Sequence, residues 1–200
     1  MGKKIQFKSD EYNLEGMLET DSAEKGVVIA HPHPQHGGNM DNHVIESIAN
    51  AYKQKKISTL KFNFRGVGQS QGNYGNGIGE QTDVISAVSY LLETGIKQID
   101  LAGFSFGSWV IAQAVSNGLA VDSIIMVSPP VLIYDFKQFS SLPGLKLVVT
   151  GSEDGIARSD IIEKALPMHQ HNARLEIIQG ADHFYGGYTR QLEVVIASCL

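Results

Sequence analysis

The hydrophobic pattern of the chain predicts a series of short strands. Residues 5–8 and 14–19 alternate apolar and polar side chains on either side of a turn-like Ser-Asp-Glu segment, which predicts an edge hairpin. Residues 26–30, GVVIA, form a continuous apolar run rich in β-branched side chains, as in a strand buried on both faces. Strand-like runs follow at residues 58–64, 99–102, 123–127, 145–150 and 174–178.

Segments of helical periodicity separate these strands. Asp41 or Asn42 is placed to cap a helix whose apolar positions between residues 44 and 52 recur at helical spacing. Further helices are expected around residues 84–92, after Ser105, at 159–166 and at 188–200. Strands that alternate with helices form βαβ units, so we expect an α/β fold in a single domain, residues 1–200. The sheet should be mostly parallel with helices on both faces, and ligands should bind beyond the carboxyl ends of its strands.

Composition narrows the class of protein. With 200 residues, 42% of them apolar and 18% charged, the chain is typical of an ordinary soluble globular protein. A net charge of −5 argues against a nucleic-acid or anionic-membrane partner, because phosphate binding needs a basic face. No window resembles a secretory signal or a membrane span, and the lone Cys199 cannot form an intramolecular disulfide. We therefore expect a cytoplasmic protein, and its oligomeric state is left open.

The segment from Ile99 to Gln113 is the centre of the functional prediction. It passes from an apolar strand through Gly103-Phe104-Ser105-Phe106-Gly107 into a helical pattern. In a G-x-S-x-G turn the serine is held in strained backbone geometry with its hydroxyl above the sheet, and only small residues fit two places before and after it. Ser105 is therefore a candidate nucleophile.

Two further loops that follow predicted strands contain partners for a nucleophilic serine. His183 lies in Gly-Ala-Asp-His-Phe after the last strand, and Asp154 lies in Thr-Gly-Ser-Glu-Asp after the strand before it. A serine hydroxyl needs a base to take its proton, and the base needs an acid to orient it. The neighbouring Glu153 remains an alternative acid. The order Ser105, Asp154, His183 is that of the α/β-hydrolases.

Together these motifs resemble a known family. The segments HPHPQHGGNMDN, FNFRGVGQSQGNY, GIGEQTD, AGFSFG and GADHFYGG, with the Asp154 loop, are similar to small bacterial α/β-hydrolases of the dienelactone-hydrolase-like group. The resemblance spans nearly the whole chain and implies an α/β-hydrolase fold with a Ser105, Asp154, His183 triad. Dienelactone hydrolases proper use a cysteine nucleophile, so the serine here does not imply their substrate.

The oxyanion of an acyl-transfer reaction needs two N–H donors. One should be the backbone N–H of Phe106, which follows the nucleophile at a helix N-terminus. The second should come from the loop after residues 26–30, where Pro32 and Pro34 have no N–H to donate. That leaves His33 as first choice and Gln35 as second. Candidates for a substrate pocket are aromatic: Trp109, Tyr134, Phe136 and Phe184.

Neither a metal nor a cofactor is expected. Four histidines lie close together in sequence at 31, 33, 36 and 43, but their spacing matches no metal motif and a loop serving the oxyanion explains their place. Gly66-Val67-Gly68 starts like a dinucleotide fingerprint, yet its third glycine would fall on Gln71. Arg65 is instead expected to anchor this loop, to Glu80 or Asp83.

The sequence therefore predicts a serine hydrolase of small carboxylic esters or thioesters, acting through an acyl-enzyme on Ser105. The connection between residues 128 and 144 is too short for a lid domain, so an open site is expected. Two alternatives remain: a catalytically silent α/β-hydrolase-fold binding module, and a small amide or peptide hydrolase.

Overall fold

One eight-stranded sheet organises the molecule. The computed structural model describes residues 2–168 and 172–200, and in them the strand order is β1-β2-β4-β3-β5-β6-β7-β8. The strands are β1 (Lys3–Ser9), β2 (Tyr12–Glu19), β3 (Lys25–Ala30), β4 (Ser58–Phe62), β5 (Gln98–Phe104), β6 (Ser123–Val127), β7 (Leu145–Gly151) and β8 (Arg174–Ile178). The β1–β2 and β2–β4 pairs are antiparallel and all others are parallel, which confirms the mostly parallel sheet.

The N-terminal hairpin forms where the alternating pattern predicts it. In β1, Ile5 and Phe7 are buried while their neighbours are exposed, so one face of this edge strand packs on the core. The turn between the strands passes through Asp10 in left-handed backbone geometry, with φ of 50°. Aspartate tolerates this conformation better than most residues, which fits its place in a tight turn.

Helices cover both faces of the sheet, as expected from the βαβ pattern. They are α1 (His43–Gln54), α2 (Ile78–Glu93), α3 (Phe106–Ser116), α4 (Ser159–Ala165) and α5 (Thr189–Cys199). Helices α1 and α5 pack together over one apolar core, and α2 and α3 over the other. Of the two caps proposed for α1, Asn42 is the one that accepts the Val44 N–H, at 2.9 Å.

Buried polar groups fix the loop between β4 and α2. Arg65 pairs with Asp83 at 2.7 Å, so Asp83 rather than Glu80 is its anchor. Glu80 instead accepts the N–H groups of Gly75 and Gly77, at 2.8 and 2.7 Å. These bonds satisfy N–H groups at the start of α2, which therefore begins at Ile78. The apolar pattern had placed the start of this helix about two turns later, near residue 84.

The carboxyl edge of the sheet is left uncovered by any inserted unit. The connection from β6 to β7 runs through residues 128–144 without a helix or strand, so the expected absence of a lid domain is confirmed for this part of the chain. Among the described residues, no helix combines the length and apolar character that crossing a lipid bilayer requires.

Candidate active site

Ser105 occupies a strained turn between β5 and α3. Its backbone adopts φ of 52° and ψ of −118°, a region that a side-chain-bearing residue rarely enters. The flanking glycines are required by close backbone approach. A Cβ on Gly107 would lie 2.2 Å from the Ala30 carbonyl oxygen, and one on Gly103 would lie 2.7 Å from the Gly107 carbonyl carbon. The turn therefore has the geometry of a nucleophile elbow.

The structure brings Ser105, His183 and Asp154 together. The Nε2 atom of His183 lies 3.0 Å from the Ser105 Oγ, and its Nδ1 atom lies 2.9 Å from Oδ2 of Asp154. Each side chain follows a different parallel strand, so they meet at the carboxyl edge of the sheet although they are 29 and 78 residues apart along the chain. A base in contact with both a hydroxyl and a carboxylate can accept the hydroxyl proton and be held in one tautomer.

The Asp154 carboxylate is itself tied to its loop. Its Oδ1 atom accepts the backbone N–H groups of Ile156 and Ala157, at 2.8 and 2.7 Å. Burial raises the pKa of Asp154. This effect is outweighed by the hydrogen bond and charge of His183, and by hydrogen bonds from the Ala157 N–H and the Ser128 hydroxyl, so the pKa lies below its ordinary value. The carboxylate is therefore ionised and oriented. Glu153, the alternative acid, is exposed to solvent.

A buried tyrosine and serine lie behind the acid. The hydroxyls of Ser128 and Tyr185 are 2.8 Å apart, and the Tyr185 O–H also reaches the Val149 carbonyl at 3.4 Å. Both residues have positive φ, 45° for Ser128 and 56° for Tyr185. Burial raises the pKa of Tyr185, so its hydroxyl stays protonated. The pair was not predicted from the sequence. The only signal was its position, Ser128 directly after β6 and Tyr185 two residues after His183.

The loop after β3 lines the cavity at Ser105 and contains both residues predicted as the second oxyanion donor. Within residues 34–36, a short 3-10 turn, the Gln35 N–H is bonded to Nδ1 of His33 at 3.2 Å. That N–H is therefore engaged locally, which leaves His33 as the better of the two predicted donors. Phe106 is the first residue of α3, so its N–H has no carbonyl partner inside the helix. Both Phe106 and His33 line the cavity at Ser105.

A fully buried histidine holds that loop in place. His31 accepts the Phe64 N–H on Nε2, at 3.0 Å, and its Nδ1 donates to the Pro32 carbonyl, at 2.6 Å. These two bonds fix the tautomer. Burial lowers the pKa of His31 to about 4, against a smaller opposing effect of the Pro32 carbonyl, so the ring is neutral. The side chain is structural and joins the loop after β3 to the end of β4.

The cavity above Ser105 has a volume of about 260 Å³. Of the four aromatic candidates, Tyr134 and Phe184 line it. Trp109 lies behind Tyr134, with the two rings stacked 4.2 Å apart, and Phe136 is 1% exposed and packs in the core against Phe139. The pocket role expected for Trp109 and Phe136 is thus not matched by their positions. Tyr134 stands between Trp109, on α3, and the cavity, and the loop after β6 turns Phe136 into the core.

Several residues of the cavity were not predicted. They are Pro32, His36, Gly37, Gly38, Asn42, Phe104, Pro130, Ile133 and Ile156. The signal for Ile133 was present, since two adjacent apolar residues, Leu132 and Ile133, stand in a loop at the carboxyl edge. Tyr74 was also missed: its hydroxyl lies 3.1 Å from Nε2 of His33 and links the glycine-rich loop to the loop after β3.

Of the four clustered histidines, His31, His33 and His43 form hydrogen bonds with protein groups, and the His36 ring lies 4.7 Å from the His33 ring. His43 Nε2 lies 2.6 Å from the Phe184 carbonyl, and His31 is held as described above. Within residues 2–168 and 172–200, no group of three or more His, Cys, Asp or Glu side chains is arranged to hold a metal ion.

These features define the α/β-hydrolase class. They are a mostly parallel sheet flanked by helices, a strained serine after β5, and a histidine and an aspartate on later loops. The chain belongs to the α/β-hydrolase superfamily. This confirms the superfamily expected from the motifs.

Comparisons with known proteins support this assignment. An α/β serine hydrolase homologue from Coxiella burnetii is 30% identical, covers 99% of this chain and 97% of its own, and superposes with a TM-score of 0.87. A Xanthomonas campestris protein described as an α/β serine hydrolase without a lid is 26% identical over 98% of this chain and 92% of its own, with a TM-score of 0.88. An uncharacterised protein of Rickettsia prowazekii is 32% identical over 96% of this chain and 86% of its own. No protein-family model matches the chain.

Proposed function

We propose that this protein is a serine hydrolase that cleaves small carboxylic esters through an acyl-enzyme on Ser105. The observation that carries the proposal is the continuous contact from Ser105 through His183 to Asp154, at 3.0 and 2.9 Å. Its structural neighbours are α/β serine hydrolases, which supports a hydrolase at the level of the class.

In the first half of the reaction, His183 Nε2 accepts the Ser105 proton as Oγ attacks the ester carbonyl. Asp154 holds the imidazole by its Nδ1–H and stabilises the imidazolium that forms. The backbone N–H groups of Phe106 and His33 donate to the carbonyl oxygen as it becomes an oxyanion. The tetrahedral intermediate then collapses, the C–O bond to the alcohol breaks, and His183 gives its proton to the leaving oxygen.

In the second half, water replaces the alcohol. His183 takes a proton from this water, whose oxygen attacks the acyl-enzyme carbonyl through a second tetrahedral intermediate. The bond between the acyl carbon and Ser105 Oγ then breaks. Oγ recovers its proton from His183, and the carboxylic acid leaves. Both halves use the same donors and the same base, so a single site completes the cycle.

The small cavity limits the size of the acyl group that can bind. A volume of about 260 Å³ lies just below the range usual for drug-sized ligands, which favours short or compact acyl chains. The uncovered carboxyl edge leaves the alcohol part of a substrate free to project into solvent.

A panel of 4-nitrophenyl esters from acetate to decanoate, with a matched anilide, tests this function. We expect turnover of the short esters, a fall in kcat/KM with chain length, and little turnover of the anilide. Ser105→Ala should remove activity, while Ser89→Ala on the exposed face of α2 should leave it unchanged. Absence of turnover of every ester by the folded wild-type protein, or full activity of Ser105→Ala, would contradict the proposal.

A further inference from the structure

One side of the cavity at Ser105 is an apolar wall. Pro130, Ile133 and Tyr134 reach it from the loop after β6, and Ile156 from the loop after β7. The Tyr134 ring is stacked on Trp109 at 4.2 Å and lies 6.0 Å from the Phe106 ring. Tyr134 is therefore held in place by its contacts with both rings, while Ile133 is 63% exposed to solvent. A charged acyl group enclosed in the cavity would lose part of its hydration against these apolar side chains.

Two titratable side chains that line the cavity, Tyr134 and His33, are neutral. Burial, with a smaller effect of Tyr74, raises the pKa of Tyr134 to about 12, so its hydroxyl keeps its proton. Burial and the neighbouring His36 lower the pKa of His33, whose Nδ1 accepts the Gln35 N–H as a neutral ring does. His33 therefore supplies no positive charge to a bound anion at neutral pH, and Tyr134 adds no negative one.

Among the described residues, no lysine or arginine lines the cavity, and carboxylates lie close to it. The ionised Asp154 lies directly behind His183, and the exposed Asp182 precedes it in sequence. Arg158, on the loop that contributes Ile156, is already paired with Asp160 at 3.0 Å. This field adds to the net charge of −5 on the chain and repels anions.

The adjoining groove continues this pattern. It shares Gly37 and Gly38 with the cavity and is lined by Glu15, Asp41 and Lys4. Asp41 also lies 3.8 Å from Lys61, which is itself paired with Glu46. A leaving group that extends from the cavity along this groove would therefore meet a net acidic lining.

We propose that the site selects esters that are uncharged on both sides of the scissile bond and discriminates against anionic substrates, including phosphate-bearing nucleotide thioesters. The inference rests on the proposed ester hydrolase function and specifies its substrate class. It also makes Ile133 a specificity-determining residue: its side chain lines the cavity yet is 63% exposed, so its replacement by a polar residue is compatible with the fold.

Two substrates that differ only in charge test the proposal. Mono-4-nitrophenyl glutarate carries a free carboxylate, and its methyl ester has the same acyl chain and leaving group without the charge. Each rate is corrected for the hydrolysis measured without protein, which for the free acid includes attack of its own carboxylate on the aryl ester to form the cyclic anhydride. We then expect kcat/KM at pH 7.5 to be at least roughly tenfold higher for the methyl ester. A ratio near one would overturn the proposal.

A charge series at Ile133 separates electrostatics from pocket shape. Ile133→Gln removes the apolar side chain without charge, and Ile133→Lys and Ile133→Glu add opposite charges at the same place. We expect the preference for the neutral substrate to shrink in Ile133→Lys and to grow in Ile133→Glu, both relative to Ile133→Gln. Equal preferences in the three variants would overturn the role given to charge at the cavity.

The same two substrates distinguish failure of the hydrolase proposal from failure of the charge selection. If wild-type protein hydrolysed neither glutarate ester faster than Ser105→Ala, the hydrolase proposal itself would fall, and this inference with it. Equal turnover of the two substrates would overturn only the charge selection and leave the hydrolase in place.

Discussion

At the scale of single residues, the site depends on one imidazole held from both sides. His183 contacts the Ser105 hydroxyl on one nitrogen and the Asp154 carboxylate on the other. Asp154 is in turn fixed by two backbone N–H groups, so the orientation of the imidazole is set by the loop after β7 rather than by His183 alone.

Replacement of Asp154 by asparagine tests this arrangement. An amide preserves the shape of the side chain but presents an N–H to the imidazole or favours the wrong tautomer, so we expect kcat for a 4-nitrophenyl ester to fall about 10⁴-fold. KM should change little, because Asp154 does not line the cavity. Glu153→Gln is the matched control and should retain nearly full activity. Loss of activity in the Glu153 variant, with Asp154→Asn active, would reassign the acid.

At the scale of elements, strand ends and the loops that follow them build the site. Strand β5 ends at Phe104 and α3 begins at Phe106, so Ser105 alone makes the turn. Gly107 lies against the backbone of Ala30 and His31, which brings the helix N-terminus close to the loop after β3. The two proposed oxyanion donors, on Phe106 and His33, therefore come from elements in direct contact.

The loop after β3 is also the element whose stability should depend most clearly on pH. His31 has a pKa of about 4 in the folded protein against 6.5 in the unfolded chain. The His31 side chain therefore binds a proton in the unfolded chain as the pH falls below 6.5, but not in the folded protein. Its contribution to the free energy of unfolding is complete above pH 6.5 and is lost as the pH falls towards 4. This single group should cost about 2 kcal/mol of unfolding free energy between pH 7 and pH 5.

The variant His31→Gln isolates this contribution. Glutamine can accept the Phe64 N–H and donate to the Pro32 carbonyl but does not titrate in this range. Urea unfolding at pH 7 and pH 5 should show that the wild-type protein loses about 2 kcal/mol more stability than the variant. Equal losses in the two proteins would show that His31 is not the buried neutral group described here.

At the scale of the whole molecule, the sheet and the positions of the triad could be predicted from sequence because both depend on local patterns. Apolar runs locate the parallel strands, and the carboxyl-end rule then brings Ser105, Asp154 and His183 to one edge. The prediction of β6 and β8 at residues 123–127 and 174–178 matches the observed bounds.

The walls of the cavity could not be predicted in the same way. Residues 128–144 have no regular period, so nothing in the sequence distinguishes the buried Phe136 from Tyr134, which lines the cavity. The contact of Tyr74 with His33 joins positions 41 residues apart in two irregular loops. Such contacts follow from tertiary packing, which the hydrophobic pattern does not encode.

The most direct test of the account is covalent labelling of the folded protein with a fluorophosphonate, read by intact mass and peptide mapping. An activated serine displaces fluoride and keeps the phosphonyl group, whereas an ordinary surface serine does not react. We expect one adduct per chain, on Ser105, with none in Ser105→Ala and slower labelling in Asp154→Asn. No adduct on the folded wild-type protein, or an adduct on another residue, would contradict the claim that Ser105 is the nucleophile.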